Sequence, residues 1–253
     1  MVYLARRVAP PVASPTDPGY EVAEQKRTQT LFGDWTPKDL SPHQENVEVY
    51  SNCAEVELFL NGKSLGSKPK PTDDRPRNWT VTFEPGTIKA ICRSADTPGT
   101  ADALVRNAAP GSVTPLPTYE LRTARKPKSI KLTVDKPYLT HDWNDVAFVT
   151  ATVVDANGVP VPDANNLIQF SIDSPPARGG VAAGRGGGSS TIVAVDSVDN
   201  ADHDPFQATQ RKAFQGTCLA LIKTAASSGK ITITAQSPGL KSSPITITVV
   251  PPV

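Results

Sequence analysis

Residues 55–66, EVELFLNGKSLG, alternate acidic and apolar side chains, break at Asn61-Gly62 and resume as a second extended run. A period of two puts Val56, Leu58 and Leu60 on one face of a strand and Glu55, Glu57 and Phe59 on the other. The Asn-Gly pair supplies the positive φ angles of a tight hairpin turn. Phe59 on the polar side implies that this face is partly covered as well. The same texture recurs along the chain, first in VEVYSN, WTVTFEPG and TIKAICRS, then in SIKLTVDK, DVAFVTATVVDANGVPVP, LIQFSID, TCLALIKTA, GKITITAQSPG and SPITITVV. Short alternating runs separated by Asn, Gly and Pro predict antiparallel β-structure, and this many of them predict sandwiches. Asp155, Asn157 and Gly158 mark a hairpin turn between long strands, and ITITVV an edge or near-edge strand.

The chain has 253 residues, 38% of them apolar, which is enough for one large or two medium domains. Three divisions are expected: a Pro-rich lead-in over 1–45, a first sandwich over 46–126 and a second over 127–253. The lead-in carries Tyr3, Tyr20, Phe32 and Trp35, and aromatics seek burial, so part of it is expected to pack on a neighbouring domain. The net charge of +1 comes from 26 basic and 25 acidic residues. They form no run of one sign, so neither nucleic acid nor a membrane surface is implied as a partner. No apolar run approaches the roughly 20 residues of a membrane helix. The first residues hold Arg6-Arg7 and prolines where a signal peptide needs an apolar core, so no export signal is expected in the sequence as given.

Cys53, Cys92 and Cys218 cannot all pair, and none has zinc-knuckle spacing, so buried free thiols are expected. A Cys53–Cys92 bridge is the alternative, since both fall in predicted strands of one unit; it would require an oxidising compartment. His43, His141 and His203 lie in separate loops and read as solvated. Asp199, Asp202, His203 and Asp204 in DSVDNADHDPF could ligate calcium through oxygen, but the expectation is an Asx-rich loop whose side chains cap turn amides. The glycine-rich patch 174–190 lacks the helix start and Lys-Ser/Thr pair of a phosphate cradle and reads as a surface loop. NWT at 78–80 fits a glycosylation acceptor but leads into a strand, and is read as chance. No catalytic residue, metal ligand or cofactor site is assigned. Trp35, Trp79 and Trp143 are the candidate sugar-stacking platforms against the alternative of core packing, with Trp143, in HDWND, the least core-like.

VEVYSNCAEVELFLNGKSLGSK resembles the hairpin of the β-sandwich that follows the catalytic barrel in glycoside hydrolase family 2 β-galactosidases. NDVAFVTATVVDANGVPVPDANNLIQFSI, VDNADHDPFQATQRKAFQGTCLALIKT and GKITITAQSPGLKSSPITITV are similar to the Ig-like domain found next in those enzymes. The likeness covers about residues 45–250, and the lead-in resembles the segment that leaves the barrel. It implies an all-β chain of two consecutive immunoglobulin-like sandwiches, accessory to a glycosidase whose catalytic glutamates lie on a (β/α)₈ barrel. No stretch here alternates strands and helices over the roughly 250 residues of such a barrel, so those glutamates map onto no residue of this chain, Glu45, Glu48, Glu55 and Glu57 included. The implied partner is that barrel, with carbohydrate as a second, in a bacterial periplasmic or secreted enzyme. The glycine-rich insertion and Trp143 depart from the family's loops. The competing readings are a stand-alone carbohydrate-binding module and a structural Ig-like adhesion module.

Overall fold

The structure is a computed structural model that describes residues 1–8, 30–93, 116–142, 144–173, 190–199 and 201–251. It contains two compact units, Met1–Thr123 and Ala124–Val253, and all regular elements among the described residues are strands.

The first unit comprises β1 (Val2–Arg7), β2 (Leu31–Phe32), β3 (Gln44–Ser51), β4 (Glu55–Leu60), β5 (Lys63–Pro69), β6 (Arg77–Thr82), β7 (Thr87–Arg93) and β8 (Thr118–Arg122). They form two four-stranded sheets, β2-β1-β3-β6 and β5-β4-β7-β8. Alternation decides which side chains meet between them. Val2 and Leu4 of β1, Val47 and Val49 of β3, and Trp79 and Val81 of β6 face Val56, Leu58 and Leu60 of β4 and Ile88 and Ala90 of β7 in one core. Glu55, Glu57 and Phe59 stay half-buried on the opposite side of β4, as the alternation predicts. At the hairpin tip Asn61 (φ 51°) and Gly62 (φ 82°) take the left-handed conformation that a two-residue turn demands. The Asn61 Oδ1 accepts the Thr87 amide at 2.8 Å. It also fills the space beside Gly86 (φ 143°), where an added Cβ would lie 1.9 Å from it.

Two expectations change here. The described part of 1–45 belongs to the first unit itself: β1 sits inside a sheet between β2 and β3, and Trp35 is wholly buried in the same core. The alternation of VYLARR is genuine, but it is too short to stand out before a Pro-rich stretch. Tyr20 lies outside the described residues. Nor are all three cysteines free thiols: Cys53 and Cys92 form a disulfide with a Cα–Cα distance of 5.7 Å. Cys53 lies in the turn between β3 and β4, not in a strand, and Val56 of β4 pairs with Cys92 of β7. That register folds the turn back over Cys92. Cys218 is free and buried, and burial pushes its thiol up to about 12.

The second unit comprises β9 (Ser129–Val134), β10 (Tyr138–Thr140), β11 (Ala147–Val154), β12 (Leu167–Asp173), β13 (Ser190–Asp196), β14 (Gln210–Lys212), β15 (Thr217–Thr224), β16 (Gly229–Gln236), β17 (Lys241–Ser242) and β18 (Ile245–Val250). Two five-stranded sheets result, β13-β15-β11-β9-β17 and β10-β18-β16-β12-β14. Val149, Ala151, Val153, Ala220 and Ile222 of the first pack on Ile168, Phe170, Ile231, Ile233 and Ile247 of the second. ITITVV, as β18, lies one strand in from the edge. The turn at 155–158 forms, but it returns through the single bridge Val154–Pro160 instead of a second long strand. A proline has no N–H to continue a ladder. Residues 174–189 of the glycine-rich patch lie outside the described residues.

Candidate functional site

The tryptophans are not gathered on a face. Trp35 is wholly buried, its ring 5.2 Å from that of Phe83 and its Nε1 donating to the Glu84 carbonyl at 3.1 Å. Trp79 is 6% exposed, faces inward from β6 and carries the Lys68 ammonium 5.0 Å from its ring centre. Both belong to the core, which corrects the reading of either as a sugar platform: a ring face already covered by protein has nothing to offer a pyranose. Trp143 lies outside the described residues.

The first unit holds a cluster of charges drawn from distant positions. Arg6, buried although it sits on a strand, donates to Glu45 at 3.0 Å and to Asp34 at 3.1 Å, and its guanidinium lies over the Phe32 ring. Asp34 also accepts the Thr36 amide. The His43 Nδ1 faces the Ser41 carbonyl at 2.8 Å, and its Nε2 faces the Glu45 carboxylate at 2.9 Å. Neither acceptor can donate, so both ring nitrogens carry protons in this arrangement. The Ser41 carbonyl and the Glu45 carboxylate accordingly raise the His43 pKa above its ordinary value. His43 is thus an ion-pair member and not a free solvated side chain.

Beside this cluster Glu48 is chelated by Arg7 and accepts the Tyr50 hydroxyl at 2.6 Å, contacts that hold its carboxyl below the usual range. Glu57 is engaged by Arg93 and Ser64, and Glu55 by Ser67. Arg77, 3% exposed, donates to the carbonyls of Ser51, Cys53, Lys68 and Pro69. It clamps the disulfide-bearing turn to the end of β5. These four glutamates, read from the sequence as non-catalytic, are all tied to partners that neutralise or cap them.

In the second unit the acidic loop is organised around Arg211, which is 2% exposed. Its guanidinium pairs with Asp202 at 3.0 Å, donates to the carbonyls of Asp204 and Val195, and lies over the Phe206 ring. Asp199 accepts the amide of Ala201, and Asp202 that of Asp204. Those are the Asx caps expected of the loop. Asp155, 1% exposed, accepts the amides of Asn157 and Val159 on one oxygen and that of Arg125 on the other. Sequence reading missed Arg6, Arg77 and Arg211 because their partners lie up to 39 residues away and charged residues default to the surface. The positions of Arg6, two and four residues after Leu4 and Val2, and of Arg77, two and four residues before Trp79 and Val81, gave a local signal that they point inward.

Fold and contacts together define an all-β chain of two Ig-like sandwiches, each with buried ion pairs. Comparison with known proteins narrows the class. Residues 130–246 match glycoside hydrolase family 2 C-terminal domain 5, and residues 43–98 match a domain of unknown function, DUF4982. The chain resembles the C-terminal accessory β-sandwich region of family 2 glycosidases. It is 37% identical over 218 residues to the β-galactosidase BoGH2A of Bacteroides ovatus, an alignment that takes in 85% of this chain and 22% of that protein. It is 28% identical over 213 residues to a β-glucuronidase of Formosa agariphila, 82% of this chain and 18% of that one. The chain therefore spans about a fifth of the length of these relatives. A family 2 glycosyl hydrolase from Bacteroides cellulosilyticus superposes with a TM-score of 0.71 at 27% identity, over 98% of this chain and 28% of that chain.

Proposed function

We propose that this chain is a non-catalytic C-terminal region of a family 2 glycosidase of the β-galactosidase type, whose sandwiches support the catalytic part by domain packing. The observation that carries this reading is the lopsided match: 85% of the chain aligns with 22% of BoGH2A. A (β/α)₈ barrel needs roughly 250 residues of alternating strand and helix, and no helix occurs among the described residues. The Cys53–Cys92 disulfide supports an exported parent, because such bonds persist in the periplasm or outside the cell. The test has two arms. The purified chain is incubated with 4-nitrophenyl β-galactoside and β-glucuronide, and no turnover is expected; turnover that tracks the purified chain would overturn the reading. The parent enzyme is then compared with and without this region. A lower melting temperature is expected for the shortened form, and unchanged stability and activity would count against a packing role.

A further inference from the structure

The outer face of the sheet β10-β18-β16-β12-β14 has a chemistry that the fold does not require. Its inner face is the row of Ile and Phe side chains already described, so alternation sends Gln169 and Ser171 of β12 and Thr232, Thr234 and Gln236 of β16 to the outside. The register places Gln236 opposite Gln169, and Gln169 opposite Gln210 of β14. Three glutamines thus form a row across three adjacent strands, at the roughly 4.8 Å spacing of a β-sheet. All three are exposed, and their side-chain amides bond to no other described residue. In the next row the Ser171 and Thr234 hydroxyls lie 2.5 Å apart. Further along β16, Thr232 is opposite Thr246, and Thr248 of β18 lies beside Tyr138, which is 59% exposed. The charged residues of this face, Lys212, Asp173 and Lys230, sit at strand ends.

We propose that this face binds a neutral polysaccharide chain, with the glutamine amides and threonine hydroxyls bonding to sugar hydroxyls and the Tyr138 ring lying against a pyranose face. The middle of the face offers no cation to an anionic polymer or nucleic acid. Leu167, 44% exposed on the same face, lies at the start of β12 opposite Lys212, so the face lacks the apolar centre that a protein partner would require. Free amides in a regular row match a ligand that is itself a regular row of uncharged donors and acceptors. The distance along β16 from Lys230 to Gln236 is about 20 Å, room for a short run of sugar units. The choice of glycan as the ligand class rests on the accessory-region reading; the geometry of the face does not.

The chain is run through native gels containing soluble β-1,4-galactan, mixed-linkage β-glucan or polygalacturonate. Retardation by at least one neutral polymer is expected, with none by the anionic one. The double variant Gln169→Ala, Gln236→Ala and the single variant Tyr138→Ala should each weaken binding about tenfold, with melting temperatures unchanged. Thr133→Ala, on the other sheet, should bind as the parent does. No retardation by either neutral polymer, stronger retardation by polygalacturonate, or full binding by the folded double variant would each overturn the proposal. A negative result would leave the packing role untouched, because that role is read from the shortened enzyme.

Discussion

Asp155 shows how much one side chain carries where a strand ends. Its carboxylate takes three backbone amides, two from its own turn and one from Arg125, thirty residues earlier. Hydrogen bonds to a charged group contribute roughly 1.5–3 kcal/mol each and are not additive. Asp155→Ala is therefore expected to cost the second unit roughly 3 kcal/mol, measured by urea unfolding, with Asp155→Asn losing less. Burial alone would raise the carboxyl's pKa, but the amides of Arg125, Val159 and Asn157 outweigh it and hold the group below its ordinary 3.8. A depressed folded value means that the stabilisation is present in full above 3.8 and is lost as pH falls through the folded value. The gap between the parent and Asp155→Ala should accordingly hold at neutral pH and narrow in strong acid; a gap that widens there would count against the assignment.

The β4–β5 hairpin and the disulfide beside it dominate at the level of elements. Leu58 has no exposure, and a carboxylate in its place would be buried with no partner. Leu58→Asp is expected to abolish the fold of the first unit, seen as loss of its near-ultraviolet dichroism; a normal melt would refute the core assignment. The Cys53–Cys92 bridge closes a span of 39 residues. By loop-closure entropy that is worth about 4 kcal/mol. Reduction, or Cys53→Ala with Cys92→Ala, should lower the melting temperature of the first unit; on unfolding, the double variant should alkylate at Cys218 alone and the reduced parent at all three cysteines. The hairpin was legible in the sequence because its cause is local: alternation, then Asn-Gly. The bridge stood there only as the alternative to free thiols, because it depends on the β4–β7 register and on a turn that reverses over β7. Trp35 was illegible for the same reason, since Phe83 and Glu84, which cover it, lie almost fifty residues on.

At the level of the molecule, each unit has a core of its own. That of the second unit draws Val149, Phe170, Ile222 and Ile233 from both of its sheets. Residues 124–253 expressed alone are therefore expected to show β-type circular dichroism and a cooperative melt, and a chain that stays unfolded would show that this core is insufficient. The two-sandwich plan was readable from strand spacing, whereas the partners of the buried arginines that knit each unit were not, because they lie far along the chain. The two Asn-Gly turns also set how the molecule ages. Asn-Gly links are where a backbone nitrogen most readily attacks the preceding side-chain amide and converts it to a succinimide. The Asn61 oxygen is held by the Thr87 amide and its nitrogen by the Pro85 carbonyl, which keeps the group away from the nitrogen of Gly62. Asn157 is exposed, and no such pair of bonds restrains its side chain among the described residues. Peptide mapping of protein stored at mildly alkaline pH should find deamidation at Asn157 well before Asn61, so that the same dipeptide is a chemical clock in one sandwich and inert in the other.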